Sequence, residues 1–210
     1  ELSKSQLESV DKEQMIKPAY KTNAAYSQYS NTMYFPAGIL QAPNYDVNAT
    51  LEENLGAIGT TIAHEITHAF DNAGAQYDEN GSPRNWWTET DFEKFEQLCN
   101  RVSGFYDGCE IAPGLANSGS RTLGENIADM GGVACALEVL KKTENPDYDR
   151  FFTTYASHWA RAGTRQTMAE IVGSDDHSHG ILRVNRVLSN FEEFYKTYHI
   201  QEGDGMYVAP

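Results

Sequence analysis

Cysteine is scarce in this chain. Its 210 residues hold three, Cys99, Cys109 and Cys135, with no CxxC and no Cys/His pair at finger spacing. That excludes a thiolate zinc finger and a CxxC redox centre. The three read as free thiols, with a Cys99–Cys109 bridge as the alternative. Long apolar runs are missing too: even Val133 to Leu140 is short and carries Glu138, far from the roughly 18 to 20 residues of a membrane span. Basic residues are few, with Lys plus Arg at 16 against Asp plus Glu at 30 and a net charge of −14. No basic face for phosphates is expected, and so no nucleic-acid partner. The start, Glu1-Leu2-Ser3-Lys4, lacks an initiator Met and an apolar h-region. It reads as an excised or processed product, and a cytoplasmic or a secreted or cell-surface location fits it equally. What remains, 40% hydrophobic and 11% aromatic over residues 1–210, describes one globular domain with a sizeable core.

Along the chain, Ser5 to Met15 has weak helical spacing that Pro18 ends. Lys21 to Ile39 is aromatic and β-favouring around a Ser30-Asn31 turn signal, and reads as a short hairpin. Leu51, Leu55, Ile58, Ile62, Ile66 and Phe70 recur at spacings of three and four, which predicts an amphipathic or fully buried helix over about 51–70. Gly56 and Gly59 inside it point to close packing against another backbone. Further helices are expected from Trp87 to about Gly104, with Thr88 and Asp91 at capping-box spacing, from about 122 to 142, from Phe151 to Ala162 and from Leu188 to Tyr198. Gly108 to Ser120 and Gly173 to Gly180 read as loops. A β ribbon followed mostly by helices argues for an α+β fold with helix in the majority.

The informative stretch is His64-Glu65-Ile66-Thr67-His68, a His-Glu-x-x-His on the predicted helix. Residues four apart share a helix face, so both imidazoles can approach one metal ion. Glu65, one step around, is angled to accept a proton from a water on that metal rather than to ligate it. Two histidines on a face that also carries Ile62 and Ile66 need partners, because each unpaired buried polar group costs about 1 to 3 kcal/mol. A catalytic zinc takes three protein ligands and an open position. Position 77 is Tyr77, so no third histidine follows at the spacing of the extended motif. A distal carboxylate is favoured, and Glu125 and Asp129 stand four apart on a second predicted helix. Glu125 can complete the metal shell, while Asp129 and Asp71 can each accept the far N–H of a ligating imidazole. The alternative for Glu125 is a capping box with Thr122.

In order, Asn23-Ala24-Ala25-Tyr26, Phe35-Pro36-Ala37-Gly38-Ile39-Leu40-Gln41, His64 to Asp71, Trp86-Trp87 and Gly124-Glu125-Asn126-Ile127-Ala128-Asp129 resemble the neprilysin-type zinc endopeptidases, the M13 class. The resemblance spans about residues 20 to 200. It implies a gluzincin catalytic domain of the thermolysin-like zincin fold, holding one Zn2+ on His64, His68 and Glu125 with Glu65 as general base. It further implies that Asp129 orients a ligand histidine or donates a proton, and that Asn23 and Ala24 bind the substrate backbone. Asp175 to Arg183 resembles the segment supplying a transition-state histidine and a substrate-carbonyl arginine. These fall on His177 and Arg183, with His179 as the alternative histidine. Ala25 and His179 depart from the usual aromatic residue and Pro of the family. The chain also ends before the basic, Trp-ended tail of family members. Full-length relatives bring a large N-terminal helical region over the active site, which is a candidate partner.

The expected activity is hydrolysis of internal bonds in small to medium peptides lying extended along the ribbon edge. Two alternatives are a catalytically silent zinc-stabilised peptide-binding module and an exopeptidase on the same zinc chemistry. Retention of Glu65 speaks against the first, since a purely structural site needs four ligands and no base.

Overall fold

The computed structural model describes residues 18–209; the Ser5 to Met15 segment lies outside them. The fold is α+β and predominantly helical. A small ribbon comes first: β1 (Ala25–Ser27) pairs antiparallel with β2 (Thr32–Tyr34), with Tyr26 opposite Met33. Asn31 makes the turn at φ 50°, a left-handed conformation that Asn tolerates better than most residues. Within this sheet β1 pairs with β2 alone.

A helical rod follows. Thr50 and Glu53 form a reciprocal capping box at the start of α1 (Leu51–Asn54), satisfying two backbone N–H groups that a helix start leaves open. The rod widens to a π turn over Leu55–Gly59 and continues as α2 (Thr60–Thr67). Gly56 belongs where it stands: a Cβ there would lie 2.7 Å from the carbonyl oxygen of Phe151. Gly59 instead faces Leu55 and Asn54 of the same rod. The apolar stripe that the spacing suggests as an inner face divides: Ile58 is buried and Leu55 packs against the core, while Ile62, Ile66 and Phe70 are exposed at 38%, 44% and 56%. Thr60, Ala63, His64 and Glu65 are buried instead. The rod turns this polar face inward because another helix covers it.

That helix is α4 (Leu123–Leu140), reached through α3 (Glu89–Tyr106), capped by Thr88, and a small hairpin, β3 (Glu110–Ala112) with β4 (Leu115–Ala116). The hairpin lies within a stretch that reads as loop, its strands being too short for a periodic pattern. Gly132 sets how near α4 comes to α2: a Cβ there would be 2.7 Å from Thr60 O and 3.3 Å from His64 Cβ. The C-terminal half of α4 builds the core, with Val133, Leu137 and Leu140 packed against Phe151, Phe152 and Tyr155 of α5 (Tyr148–His158). Then come α6 (Arg165–Ser174), α7 (Gly180–Leu188) and α8 (Glu192–Tyr198). Val187 and Leu188 of α7 and Phe194 of α8 close the core.

The sequence reading omits α6 and most of α7. α6 shows only Met168, Ile171 and Val172 at helical spacing, none of them fully buried, and α7 begins on Gly180, which reads as loop. Cys99, Cys109 and Cys135 are all free, so the Cys99–Cys109 bridge does not form.

Candidate metal centre and cleft

The close approach of α2 and α4 brings two imidazoles and a carboxylate to one point. His64 and His68 follow one another by a helical turn, and their Nε2 atoms lie 3.0 Å apart. Glu125 Oε2 is 3.2 Å from His64 Nε2, and Oε1 is 3.7 Å from His68 Nε2. One donor atom from each of the three lies within 4.8 Å of the others. Thr122 makes no side-chain cap on α4. Its hydroxyl donates to Ser118 O and accepts from Asn117 and Asn126 instead, so the capping-box alternative for Glu125 does not hold.

The far nitrogens are held by carboxylates. His64 Nδ1 lies 2.9 Å from Asp129 Oδ1 and His68 Nδ1 2.7 Å from Asp71 Oδ2. Each Nδ1–H is then the donor, and each Nε2 turns a lone pair toward the shared point. Asp71 is itself fixed, because its other oxygen accepts the N–H groups of Ala73 and Gly74, both at 2.7 Å. Gly124 admits it, since a Cβ on that residue would stand 3.2 Å from Asp71 Oδ2.

The donor chemistry fits a divalent zinc ion. Two facing lone pairs and a carboxylate repel one another unless a cation sits among them. Glu125 Oε2 is buried and makes no hydrogen bond, although two ring nitrogens stand close to it. Two imidazole nitrogens and one carboxylate with a side open to a cavity are the donor set of a catalytic zinc.

Electrostatics follow from this crowding. Before a cation binds, burial opposes a charge on His64, but its hydrogen bond to Asp129 and the nearby Glu125 carboxylate outweigh it and raise the ring to about 9. Burial likewise opposes charge on Glu125, yet His177 and His64 hold its carboxyl well below the usual range. Asp129 is buried among Arg183 and His64, and these keep it lowered despite desolvation.

Asp129 serves two bases. Beyond His64 it accepts from Arg183 Nε at 2.7 Å and Nη2 at 2.5 Å. The guanidinium lies flat on Trp159, with Cζ 3.5 Å from the ring centroid. Arg183 is buried, and it lines a cavity of about 630 Å³ together with Asn23, Ala24, Glu65 and His177. A second cavity of about 270 Å³ on the side of β1 shares Asn23, Ala24, His64, Glu65 and His177. Glu65 is buried and opens onto both. Asn23 is exposed and accepts the Ala24 N–H on its own side-chain oxygen at 3.0 Å, while Ala24 is buried.

The two candidate histidines of the 175–183 segment part company. His177 Nε2 stands 3.1 Å from Glu125 Oε2, and its Nδ1 is 2.8 Å from Asp175 Oδ1. Its proximity to Glu125 raises the imidazole above its ordinary value. His179 caps α7, accepting from Ile181 N at 3.4 Å, and also lines the larger cavity.

Two residues that sequence reasoning leaves without a role hold the His177 loop. Ser178 Oγ donates to Asn126 Oδ1 at 2.7 Å across 52 residues. The only hint in the sequence is that Asn126 is a polar residue next to Glu125 on an otherwise apolar helix.

Known proteins resemble this chain in sequence and in fold. The model of peptidase family M13 matches residues 23–210. A neutral endopeptidase of Lactococcus lactis subsp. lactis (strain IL1403) is 43% identical over 97% of this chain and 32% of its own length. The crystal structure of PepO from Lactobacillus rhamnosis HN001 (DR20) superposes with a TM-score of 0.90 at 41% identity, covering 96% of this chain and 32% of that one. The zinc metalloprotease Zmp1 of Mycobacterium tuberculosis in complex with an inhibitor superposes with a TM-score of 0.89 at 32% identity, over 96% of this chain and 33% of that one. The chain spans about a third of the length of these relatives.

Proposed function

Because this chain belongs to peptidase family M13, we propose that it carries the catalytic centre of a zinc-dependent endopeptidase acting on internal bonds of small to medium peptides. The observation that carries this reading is the convergence of His64, His68 and Glu125 on one point, with Glu65 on the next helix position facing the same two cavities. A single zinc ion held by those three side chains supplies Lewis acidity toward a carbonyl oxygen and acidifies a water molecule.

The remaining work falls to the protein. The Glu65 carboxylate takes a proton from the attacking water and returns it to the departing amide nitrogen. Asp71 and Asp129 keep the two imidazoles in the Nδ1–H tautomer. His177, its ring steadied by Asp175, donates Nε2–H toward the oxyanion that develops on the scissile carbonyl. Arg183 spends two N–H groups on Asp129, and its others reach a carbonyl of the bound peptide. The peptide lies extended beside Asn23 and Ala24 at the entry to β1, where backbone pairing gives affinity with little dependence on side chains.

A quenched-fluorescence peptide with one internal cleavable bond tests the reading, with product ends mapped by mass spectrometry. Cleavage inside the peptide that chelator abolishes and zinc restores is the expected result. Removal of single terminal residues would instead make the protein an exopeptidase. Binding without cleavage would make it a silent peptide-binding module. Glu65→Gln should keep its zinc, measured by elemental analysis, and lose turnover by at least about a hundredfold; normal turnover in that variant removes Glu65 from the role of base.

A further inference from the structure

The loop that presents His177 is held on one side by α4, the helix that also presents Glu125, and on the other by the segment leading into that helix. After His177 the tie is Ser178 on Asn126, at 2.7 Å. Before it, the tie is Arg121, two residues ahead of α4. Its Nη1 donates to Gly173 O at 3.0 Å and its Nη2 to Val172 O. These carbonyls belong to the last turn of α6, where backbone acceptors lack helical partners and a cation is favoured.

Asp175 follows directly, with its N–H bonded to Ile171 O at 2.8 Å. One oxygen of its carboxylate accepts both the His177 N–H at 2.9 Å and Nδ1–H at 2.8 Å. The chain of contact therefore runs from the guanidinium to the end of α6, to Asp175, and to the imidazole. No residue of α6 is fully buried, and at this end only Ile171 and Val172 are half-buried, so the hydrogen bonds add to a thin packing.

We propose that Arg121 is a positioning residue for His177: by clamping the end of α6 to the start of α4, it sets the distance between the His177 ring and Glu125. This rests on the reading of His177 as the group that meets the oxyanion. An exposed arginine would ordinarily be dismissed as a solvated surface charge. Here it is a two-pronged hydrogen-bond donor to main-chain oxygens, a geometry that the planar guanidinium provides and an ammonium does not.

The test uses Arg121→Ala, Arg121→Lys, His177→Ala and the double variant Arg121→Ala/His177→Ala. Loss of a contact felt in the transition state lowers kcat and leaves KM in place. For Arg121→Ala a fall in kcat of about tenfold is expected with KM within about twofold, less than the 10² to 10³ for removing an oxyanion donor outright. Arg121→Lys should recover part of it, and the double variant should be no slower than His177→Ala alone. Losses that multiply in the double variant, or a change confined to KM, would overturn the proposal.

A second measurement needs no turnover. In the metal-free protein, the rate at which diethyl pyrocarbonate modifies His177, read by peptide mapping against exposed His199, should rise several-fold in Arg121→Ala. An unchanged rate would also overturn the proposal. Absence of zinc-dependent cleavage in the unmodified protein would sink the functional reading instead, and the modification rate would still report on the clamp.

Discussion

Asp71 has one oxygen on the His68 ring at 2.7 Å and the other on two backbone N–H groups, so neither the carboxylate nor the imidazole is free to turn. Asp71→Asn preserves the shape but presents an amide that accepts the Nδ1–H more weakly. Zinc affinity should drop by about 10- to 100-fold, measured by competition with a chromophoric chelator; unchanged affinity would remove Asp71 from the site. At this scale much of the centre is legible in advance. His64 and His68 declare themselves because a helix places positions four apart on one face; Glu125 and Asp129 share that spacing, but the family resemblance is what favours a metal role for Glu125 over a capping box with Thr122. Pairings made across the chain leave no such mark. Arg183 meets Asp129 over 54 residues and Ser178 meets Asn126 over 52, and no local period encodes them. The choice between His177 and His179 also belongs here: two residues apart in a loop, they are told apart only by where the backbone turns.

At the scale of elements, the decisive contact is the crossing of α2 and α4, and Gly132 governs it. A methyl group there meets Thr60 O at 2.7 Å and crowds His64, so the helices must separate or shift. Gly132→Ala should cost about 1 to 3 kcal/mol of stability and weaken zinc binding by drawing Glu125 away from the two rings. Denaturant midpoints of the metal-free and loaded protein check this, and a variant as stable and as well loaded as the parent would contradict it. Helix periodicity finds the rod from Leu51 to Thr67, yet it misjudges which face is inward. Ile62, Ile66 and Phe70 continue the stripe on the exposed side, while Thr60 and His64 face Gly132 of α4 and Glu65 is buried where the two cavities meet. A rule that buries apolar residues fails at a site because buried polar side chains there are compensated by one another. The π turn over Leu55–Gly59 has no signature beyond its two glycines.

Across the whole molecule the chain carries −14, and both signs line the larger cavity: Arg161 and Arg183 stand with Glu65, Asp129 and Asp175, and His158 lies beside the two arginines. Burial first, then the guanidinium groups of Arg183 and Arg161, lower the His158 pKa from its ordinary 6.5. In the unfolded chain that ring takes a proton near its ordinary value, while in the folded protein it resists. Below about pH 6.5 the unfolded state therefore binds more protons, and stability falls until the folded pKa is passed. His158→Gln should flatten that acid-side loss, seen as a smaller drop in the urea midpoint between about pH 7.5 and pH 5; an identical pH dependence in the variant would show that His158 does not contribute.

One helix, α4, has a wet end and a dry end. Toward its start stand Glu125, Asn126 and Asp129, and toward its finish Val133, Leu137 and Leu140 are seated among aromatic rings. The dry half acts as a keel. The rings of Phe151, Phe152 and Phe194 pack against this half and so set the rotation of the helix about its axis, and with it the direction in which Glu125 points, without help from the ionic half.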